Sequence, residues 1–524
     1  MNIILGLHIH TLGIDLSTQS LTLSILNYKT LKNELNISIA FNSLEEIKTS
    51  SMNKNTLLID SKIEGKAEQD INIFLAALDK ALSELKEKCN VKEIKAIQIS
   101  AQQHGHVYLS ENHKKNLNKL KNKDYINKNL KEILKDSYSY NAAPIWRTSC
   151  TQKEANELRN SVGGKEKMIQ ITGSDSPLRF TGAVIKYNFD NNLELENNTY
   201  KVFLLNTFIA SILTAKDDIS ADFGNASGMS LMDYTKKEWN DKLLNTVSNN
   251  LKEKLGNIDN PSALAGNIAE YFIEKYGFNR DCLVGIGSGD NPQTKVLYKG
   301  DILSLGTSFV YMLNIDENTR DFSGVSNAMY DGIGNPFMIF CRTNGAMVWD
   351  EIMNLYNKNY KDITESLSKN IDNLPIMIYQ RENESVPISK SFDIKRYYDD
   401  ISFDNDYKGI VLSSLGLVAG YSKKFASEKK AADLSVTGGS TKDKEILKII
   451  ANIWQCPIKI LPSGGASLGA AISAVLLLKE NISLDDIRNS LIDNTIIEPD
   501  YNLSNKYDDY LKSMNEKFNE IIKH

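Results

Sequence analysis

The stretch LGIDLSTQSLTLSIL, residues 12–26, decides how the chain begins to fold. Its first four residues are typical of a short apolar strand, and the polar run that follows is typical of a tight turn. Residues 21–26 alternate partly between apolar and polar side chains, as a second strand does. The pattern predicts a β-hairpin with a Ser/Thr/Gln tip. Backbone N–H groups and hydroxyls at such a tip converge on one point, which suits a phosphate group.

A similar stretch lies past the middle of the chain. GDILSLGTSFVYML, residues 300–313, has two apolar runs around Gly306, Thr307 and Ser308, and it predicts a second hairpin. Taken alone, each hairpin is more often an ordinary surface turn. One in each half predicts a duplicated architecture that holds a single polyphosphate from both sides.

Helical and strand patterns alternate between the two hairpins. Residues 71–87 have helical apolar spacing, and residues 94–99 form an apolar strand that runs into the sequence QQHGH. This alternation predicts an α/β fold. A chain of 524 residues is too long for one compact domain, and the pattern changes near residue 280. We therefore expect two domains, residues 1–280 and 281–524.

Residues 113–139 interrupt this pattern. They are rich in Lys, Asn and Leu, with little core periodicity beyond Leu130, Ile133 and Leu134. We interpret them as a solvated insertion.

Composition excludes several classes of function. The chain has 61 Lys and Arg against 66 Asp and Glu, a formal charge of -5, so nucleic acid is not an expected partner. Its apolar runs fall short of the ~18 residues that a membrane span needs, and residues 1–10 lack the basic region of a secretion signal. The five cysteines are scattered, as in a reducing compartment. No P-loop or zincin motif occurs. We expect a cytoplasmic protein.

Two aspartates are candidates for phosphate chemistry. Asp15 ends an apolar strand, where its carboxylate can orient the water shell of Mg²⁺, and Thr18 and Gln19 follow at the hairpin tip. Asp290 follows closely spaced glycines at the end of a strand, a suitable place for a general base. A turn aspartate bonded to its own backbone is an equally good interpretation of Asp290.

Other polar residues suit a polyhydroxylated ligand and a nucleoside. His104 lies in the QQHGH cluster, although a lone histidine is more often buried and satisfied by backbone. Arg179 can donate to sugar oxygens, although an isolated arginine is more often a surface charge. Gly438 and Gly439 lie at a helix entrance, where the backbone can approach a planar base or ribose, unless they form a plain turn.

Taken in order, these segments resemble the FGGY family of carbohydrate kinases, and within it the xylulose kinases of the eukaryotic type. The resemblance covers nearly the whole chain. The segments that carry it are GIDLSTQ (13–19), QQHG (102–105), PIW (144–146), TGS (172–174), RFTG (179–182), SGM (227–229), GDNP (289–292), SLGTS (304–308), NG (344–345), TGGS (437–440) and KEIL (444–447).

The resemblance implies two actin-like, ribonuclease-H-like domains that flank a catalytic cleft. It implies transfer of the γ-phosphoryl group of ATP to the terminal hydroxyl of D-xylulose, with Mg²⁺, in a monomer or homodimer. Glycerol kinases carry Gln-Arg-Glu where this chain has QQHG, which favours a pentulose over glycerol.

The roles that the resemblance implies fall into three groups. Asp290 would be the base and would contact the sugar with His104, Arg179 and Asn291. Asp15, Thr18 and Gln19 would address Mg²⁺ and phosphate, with Asp15 and Asp290 holding the metal through water. The second phosphate turn and the nucleoside site would be formed by Gly306, Thr307, Gly438, Gly439 and Asp443.

Three departures from the family pattern leave rivals open. Thr148, Asn225 and Phe309 stand where related kinases often have acidic residues. One rival is an FGGY kinase for another ketose or polyol, such as ribulose or ribitol. The other is a catalytically weak sugar or nucleotide sensor of the same fold.

Overall fold

Two large β-sheets organise the chain. The computed structural model describes residues 9–369, 373–425, 433–462, 464–492 and 495–523. Within these ranges, none of the helices has the length and apolar character of a membrane span. Residues 1–8, which belong to the segment tested for a secretion signal, lie outside the described residues.

The first sheet contains the N-terminal hairpin. Its strands are β1 (His10–Leu16), β2 (Ser20–Asn27), β3 (Lys32–Ala40), β4 (Ile94–Ala101), β5 (Leu264–Asn267), β6 (Leu283–Gly285) and β7 (Ser288–Gly289). Strand β1 lies near the centre, antiparallel to β2 and parallel to β4. The order across the described sheet is β5-β6-β4-β1-β2-β3, and β7 also pairs with β4 in parallel.

The second sheet contains the second hairpin. Its strands are β8 (Asp301–Leu305), β9 (Phe309–Asn314), β10 (Asn327–Tyr330), β11 (Pro336–Arg342), β12 (Leu434–Thr437) and β13 (Ile458–Ile460). Strands β8 and β9 are antiparallel, whereas β12 runs parallel to β8 and to β13. The order across the described strands is β10-β11-β9-β8-β12-β13.

The two sheets share one topology. The order β3-β2-β1-β4-β6 of the first sheet corresponds to β11-β9-β8-β12-β13 of the second, with the hairpin and its parallel neighbours in the same places. Both predicted hairpins are present, and the α/β class predicted from the alternating pattern is confirmed. Strand β1 is buried along almost its whole length, as expected for a strand of a sheet that is covered on both faces.

Helices cover these sheets. The predicted helix at residues 71–87 is α1 (Ile71–Lys88), whose first turn is capped by the Asp70 carboxylate accepting from the backbone N–H of Asn72. The other helices named below are α2 (Asn112–Leu120), α3 (Leu130–Ile133), α4 (Asp290–Val296), α5 (Ala346–Leu355), α6 (Phe403–Ser422), α7 (Lys444–Trp454) and α8 (Gly465–Ala474).

Shorter or peripheral elements complete the described chain. The remaining helices are Gln152–Ser161, Lys165–Thr172, Thr181–Asn191, Leu193–Asn198, Leu205–Thr214, Phe223–Ala226, Asp241–Val247, Leu251–Leu255, Glu270–Tyr276, Tyr360–Ser368, Leu484–Leu491 and Ser504–Lys523. The remaining strands are Glu68–Asp70, His106–Leu109, Tyr138–Tyr140, Ala142–Pro144, Lys201–Leu204, Ala221–Asp222, Met232–Asp233, Glu238–Trp239, Ile258–Asp259, Met377–Gln380, Glu384–Ser385, Ile388–Ser389 and Phe392–Arg396.

The interpretation of residues 113–139 as a solvated insertion is wrong. The segment folds into α2 and α3, and its apolar side chains join the core of the first half: Leu117, Leu120, Leu130, Ile133 and Leu134 are all buried there. The lysines occupy only the outer face of α2. Sparse leucines among many lysines suffice here because each helix packs one narrow stripe against the core.

The predicted division at residue 280 cuts through the first sheet. Strands β6 and β7 follow residue 280, yet both pair with β4. Helix α8, from the far end of the chain, also packs against β1, β2 and β4. We propose that the first domain extends through β7 and that the second begins before β8.

Close packing fixes α8 against the first sheet. A Cβ atom at Gly13 on β1 would lie 1.8 Å from the carbonyl oxygen of Ser467, and one at Gly469 would lie 1.9 Å from the carbonyl oxygen of Gln293 on α4. Only hydrogen fits at these two points. Helix α8 therefore contacts both β1 and α4 with its backbone, and it ties the end of the chain to the start of the site.

Gly13→Ala is expected to destabilise the protein by about 1–3 kcal/mol or more, because the added methyl group overlaps the backbone of α8. The measurement is urea-induced unfolding. Gly420→Ala on α6 is the matched control, since its Cβ would make its nearest contact at 3.4 Å, with Asn515. Equal stability of the two variants would contradict the packing described here.

Candidate active site

Two aspartates meet at one edge of the first sheet. Asp15 on β1 pairs with Ser100 on β4, and Gly289 on β7 pairs with Ala101 on β4. All three strands are parallel, so their carboxyl ends share an edge. Asp15 and Asp290 therefore stand on either side of the end of β4, and both are only half-buried, open to the cleft.

The surrounding protein raises the pKa of both carboxyls. Burial raises the pKa of Asp15 from its ordinary 3.8 to about 6, against a lowering by the hydroxyl of Ser100, which donates at 2.6 Å. Burial, and then the charge of Asp15, raise the pKa of Asp290 from 3.8 to about 7, against lowering by the N–H groups of Asn291 and Gln103. A general base works best with a pKa near the working pH.

Polar side chains surround this pair. The Asn291 amide donates to the side-chain oxygen of Gln103 at 2.8 Å. The Thr18 hydroxyl donates to the side-chain oxygen of Gln102 at 3.1 Å and accepts from the Trp146 indole at 2.9 Å. Trp146 is 42% exposed. It forms part of the predicted PIW segment, but nothing in the sequence signalled its bond to the hairpin tip. Gln19 lies exposed beside Thr18.

His104 is a neutral acceptor. Its ring stacks on Phe180 with centroids 4.6 Å apart, and its Nδ1 lies 2.9 Å from the carbonyl oxygen of Gly228. Burial, the charge of Arg179 and His106 together lower the pKa of His104 to about 3, with the Gly228 carbonyl opposing them. A carbonyl can only accept, so Nδ1 carries the proton and Nε2 is left as an acceptor.

Arg179 lies beside His104 and has free donors. Solvent reaches its side chain, yet the surrounding protein desolvates the guanidinium enough to lower its pKa, while the Cys341 thiol on β11 opposes this. Among the described residues, the guanidinium makes no hydrogen bond or ion pair. Its exposure agrees with the commoner case of a surface charge, whereas its desolvation and the influence of Cys341 set it apart from that case.

A cavity of about 580 Å³ opens at the ends of β8 and β12. It contains four of the predicted nucleotide residues, Gly306, Thr307, Gly439 and Asp443. The sequence did not indicate its apolar walls. They are Leu305, Ala346, Trp349, Tyr360, Ile363, Tyr407 and Ile446.

The glycine turn after β12 fits against the second phosphate turn. Gly438 has a positive φ of 107°, and a Cβ there would lie 2.3 Å from the carbonyl oxygen of Leu305. Gly439 faces open space. The Asp443 carboxylate caps α7 through the N–H groups of Glu445 and Ile446 and accepts from the Thr364 hydroxyl. Asp443 lines the cavity, but its carboxylate is already occupied by these hydrogen bonds. Its contact with a nucleoside therefore stays a prediction.

The predicted residues form two groups. Asp15, Thr18, Asp290 and their neighbours lie at the edge of the first sheet, whereas Gly306, Thr307 and Gly439 line the cavity of the second. The two hairpin tips have free amides: within the described residues, no backbone bond is donated by the N–H groups of Thr18, Gln19, Gly306 or Thr307. Free N–H groups at a turn are the usual phosphate ligands.

The three departures from the family pattern are packed inside the protein. Thr148 donates to the carbonyl oxygen of Ala67. Phe309 packs edge-on against Trp349, with ring centroids 5.1 Å apart. Asn225 donates to the side-chain oxygen of Asn206 at 2.9 Å. None of these side chains occupies the cleft position of Asp15 or Asp290.

Comparison with known proteins finds relatives among the sugar kinases. The model of the N-terminal domain of the FGGY family of carbohydrate kinases matches residues 135–296. Xylulose kinase 2 of Arabidopsis thaliana is 29% identical over 494 residues, 88% of this chain and 86% of that protein. Xylulose kinase of Saccharomyces cerevisiae is 30% identical over 368 residues, 68% of this chain and 59% of that protein. This chain resembles the FGGY carbohydrate kinases and, among them, the xylulose kinases.

Solved structures share the fold of this chain. Xylulose kinase from Rhodospirillum rubrum superposes with a TM-score of 0.80 at 13% identity, over 98% of this chain and 99% of that chain. The ligand-bound xylulose kinase from Lactobacillus acidophilus gives 0.79 at 17% identity, over 98% of both chains. The predicted pair of actin-like domains is confirmed, and the chain is a sugar kinase, an enzyme class for which ATP is the phosphoryl donor.

Asp290→Asn is expected to stabilise the protein more at about pH 8 than at about pH 4. The increase in the free energy of unfolding that the substitution causes should be larger at pH 8 by at least about 1 kcal/mol. The pKa of Asp290 is raised to about 7 in the folded protein, so ionising it costs stability as the pH rises from its ordinary 3.8 through 7. Above that window the cost is fully present, and the neutral amide removes it. Urea unfolding in metal-free buffer measures the difference.

The matched variants for this experiment are Asp15→Asn and Asp281→Asn. Asp15→Asn is expected to act in the same direction but less, because its pKa rises only to about 6. Asp281 is exposed on the surface. A pH-independent effect of Asp290→Asn, like that of the surface variant, would show that the carboxyl is not desolvated.

Proposed function

We propose that this enzyme transfers the γ-phosphoryl group of ATP to the terminal primary hydroxyl of D-xylulose and releases D-xylulose 5-phosphate and ADP. The observation that carries the proposal is Asp290, a carboxyl with its pKa raised to about 7, at the cleft edge beside Asp15. At neutral pH a large share of such a group is ionised and can accept a proton.

The sugar side of the proposal rests on complementary hydrogen bonding. A sugar hydroxyl both donates and accepts. The neutral His104 offers an acceptor at Nε2, and Arg179 offers only donors. Asn291 adds an amide beside the base. These groups can orient a short polyol chain so that its terminal hydroxyl points at Asp290.

The residues at the sheet edge fit Mg²⁺. The ion favours one or two carboxylates together with water and phosphate oxygens. Asp15 and Asp290 are close enough for the charge of one to raise the pKa of the other, as two carboxyls sharing a cation site are. We propose that they hold Mg²⁺ through water. When bound, it would offset charge on the phosphates.

The nucleotide side rests on the cavity of the second sheet. Its volume of about 580 Å³ and its walls of Trp349, Tyr360 and Tyr407 suit a planar base. Gly306 and Thr307 line it, and their N–H groups, which donate no backbone hydrogen bond within the described residues, suit phosphate oxygens. We propose that ATP lies there, with Gly438 and Gly439 against the nucleoside.

The proposed reaction proceeds in one displacement. Asp290 takes the proton of the terminal hydroxyl while that oxygen bonds to the γ-phosphorus, and the bond from the γ-phosphorus to the bridging oxygen breaks to leave ADP. The rate comes mainly from positioning and charge compensation. We expect this to take place in the cytoplasm, in a monomer or homodimer, and the five free thiols support a reducing compartment.

ADP release measured against a panel of ketoses and polyols tests this proposal. The highest kcat/KM is expected with D-xylulose. Faster turnover of ribulose or ribitol would assign the enzyme to another substrate of the same family. Ligand binding without ADP release above the level of the Asp290→Asn variant would instead favour the sensor.

Asp290→Asn is expected to lower kcat on the order of a hundredfold or more while sugar and ATP still bind, because the amide cannot accept the hydroxyl proton. Steady-state kinetics give kcat, and calorimetric titration gives the two affinities. Unchanged turnover would remove Asp290 as the base.

His104→Ala is expected to raise the KM for the sugar several-fold more than the KM for ATP, because it deletes the Nε2 acceptor. The matched control is His113→Ala. His113 is another buried histidine with a lowered pKa, and it packs against Phe203 and Phe208 away from the cleft. A larger effect on ATP than on sugar would contradict the sugar-side role of His104.

A further inference from the structure

A buried carboxylate in the second half of the chain has no part in the site described so far. Glu384 belongs to a two-residue strand, Glu384–Ser385, that pairs with Ile388–Ser389 in a small hairpin. Its side chain has no solvent exposure. Because burying a carboxylate is costly unless hydrogen bonds surround it, the identity of its partners defines its role.

Glu384 organises the segment between β11 and α5. One carboxylate oxygen accepts from the backbone N–H of Thr343, and the other accepts from both the backbone N–H and the side-chain amide of Asn344, all at 2.9 Å. Two N–H groups of its own hairpin complete the set. The buried guanidinium of Arg342 lies 3.7 Å away and compensates the charge.

Asn344 closes the arrangement. Its side-chain oxygen accepts from the N–H of Glu382, and its amide also donates to the carbonyl oxygen of Glu382, both at 3.0 Å. The side chain is fully buried. The segment 343–345 is therefore hydrogen-bonded both to Glu384 and to Glu382, which precedes the hairpin.

This segment in turn holds the second phosphate turn. The N–H groups of Ala346 and Met347 donate to the carbonyl oxygens of Gly306 and Thr307, at 3.1 and 3.2 Å. The Ser308 hydroxyl donates to the carbonyl oxygen of Thr343 at 3.2 Å. The carbonyls of Gly306 and Thr307 are thus bound to the start of α5, whereas their N–H groups donate no backbone hydrogen bond within the described residues.

The backbones of the 343–345 segment and the 306–308 turn are in direct contact. A Cβ atom at Gly345 would lie 2.7 Å from the carbonyl oxygen of Thr307 and 2.8 Å from the backbone nitrogen of Phe309. A shift of the 343–345 segment must therefore move the turn, because the two backbones touch.

We propose that Glu384 is a positioning residue for phosphoryl transfer: through Thr343 and Asn344 it fixes the segment that sets the conformation of the Gly306–Ser308 turn for the phosphates of ATP. This inference rests on the proposed function, which places ATP at that turn. Glu384 touches neither substrate, so its effect is confined to the geometry of the turn.

The first test is Glu384→Gln. The side-chain amide of glutamine places N–H donors where one carboxylate oxygen accepted hydrogen bonds. The 343–345 segment therefore loses some of the bonds that fix its conformation. The expected result is a rise of about tenfold or more in the KM for ATP, since small displacements of a binding group are costly, with the KM for the sugar near the wild-type value. The same assay on the wild type reports whether ATP is turned over at all. Failure of the proposed function is thereby separated from failure of this inference.

Asp321→Asn is the matched control. Asp321 is also a buried carboxylate that holds a loop, through the backbone N–H groups of Ser323 and Ser326 at 3.0 and 2.9 Å, and it accepts from the Tyr421 hydroxyl. None of these partners lines the nucleotide cavity or touches the turn. It is expected to lower the urea midpoint as Glu384→Gln does and to leave the KM for ATP unchanged.

Amide hydrogen exchange gives a readout independent of activity. In Glu384→Gln, amide exchange is expected to accelerate at Thr343 and Asn344 and to change at the 306–308 turn. In Asp321→Asn, exchange at these positions is expected to match the wild type. Should Glu384→Gln fail to fold, Asn344→Ala decides the matter, since it leaves Glu384 paired with Arg342 and removes the Asn344 side-chain bonds. The inference would be overturned if the KM for ATP and the exchange rate at the 306–308 turn were the same in these variants as in Asp321→Asn.

Discussion

Electrostatic strain at the carboxyl end of β4 is the constraint on which the site depends. Two carboxyls, Asp15 and Asp290, share a desolvated edge, and the charge of Asp15 adds to the cost of ionising Asp290. The protein compensates only in part, with the Ser100 hydroxyl and two backbone N–H groups. The remaining cost raises the pKa of Asp290 to about 7, and a carboxyl with such a pKa can exchange a proton near neutral pH.

The chain places these carboxyls by its topology. Each half contributes one hairpin and parallel neighbours in the same order, so each sheet has a turn with free amides at the same end. Helix α8 then returns from the end of the chain to β1 and to α4, the helix that begins with Asp290. Glycines at 13 and 469 let backbone touch backbone there. The position of Asp290 thus depends on contacts made by residues almost two hundred positions later.

The sequence reveals elements that depend on local spacing better than it reveals contacts between residues that are far apart in the chain. The hairpins, α1 and the glycine turns follow from spacing within a few residues, and the structure has them where the sequence predicts them. The burial of Leu117 and Leu120 was missed because lysines surround them in the sequence but not in space. Trp146 and Glu384 were missed for another reason: each acts on a turn that lies far away in the chain, through one or a few hydrogen bonds. No periodicity encodes such a bond.

The acidic residues that the family pattern leads one to expect at 148, 225 and 309 are not required by the chemistry at the sheet edge. Asn225 lies behind Gly289, where a Cβ would come within 3.1 Å of its side-chain oxygen, so it supports the strand that presents Asp290. An acid is still present nearby: Asp222, one helical turn earlier, accepts from the Ser288 hydroxyl and from the Asn206 amide. Burial raises the pKa of Asp222 to about 6. A further buried carboxylate at 225 would add like charge to a network that already holds one, and the amide avoids that cost while keeping the hydrogen bond to Asn206.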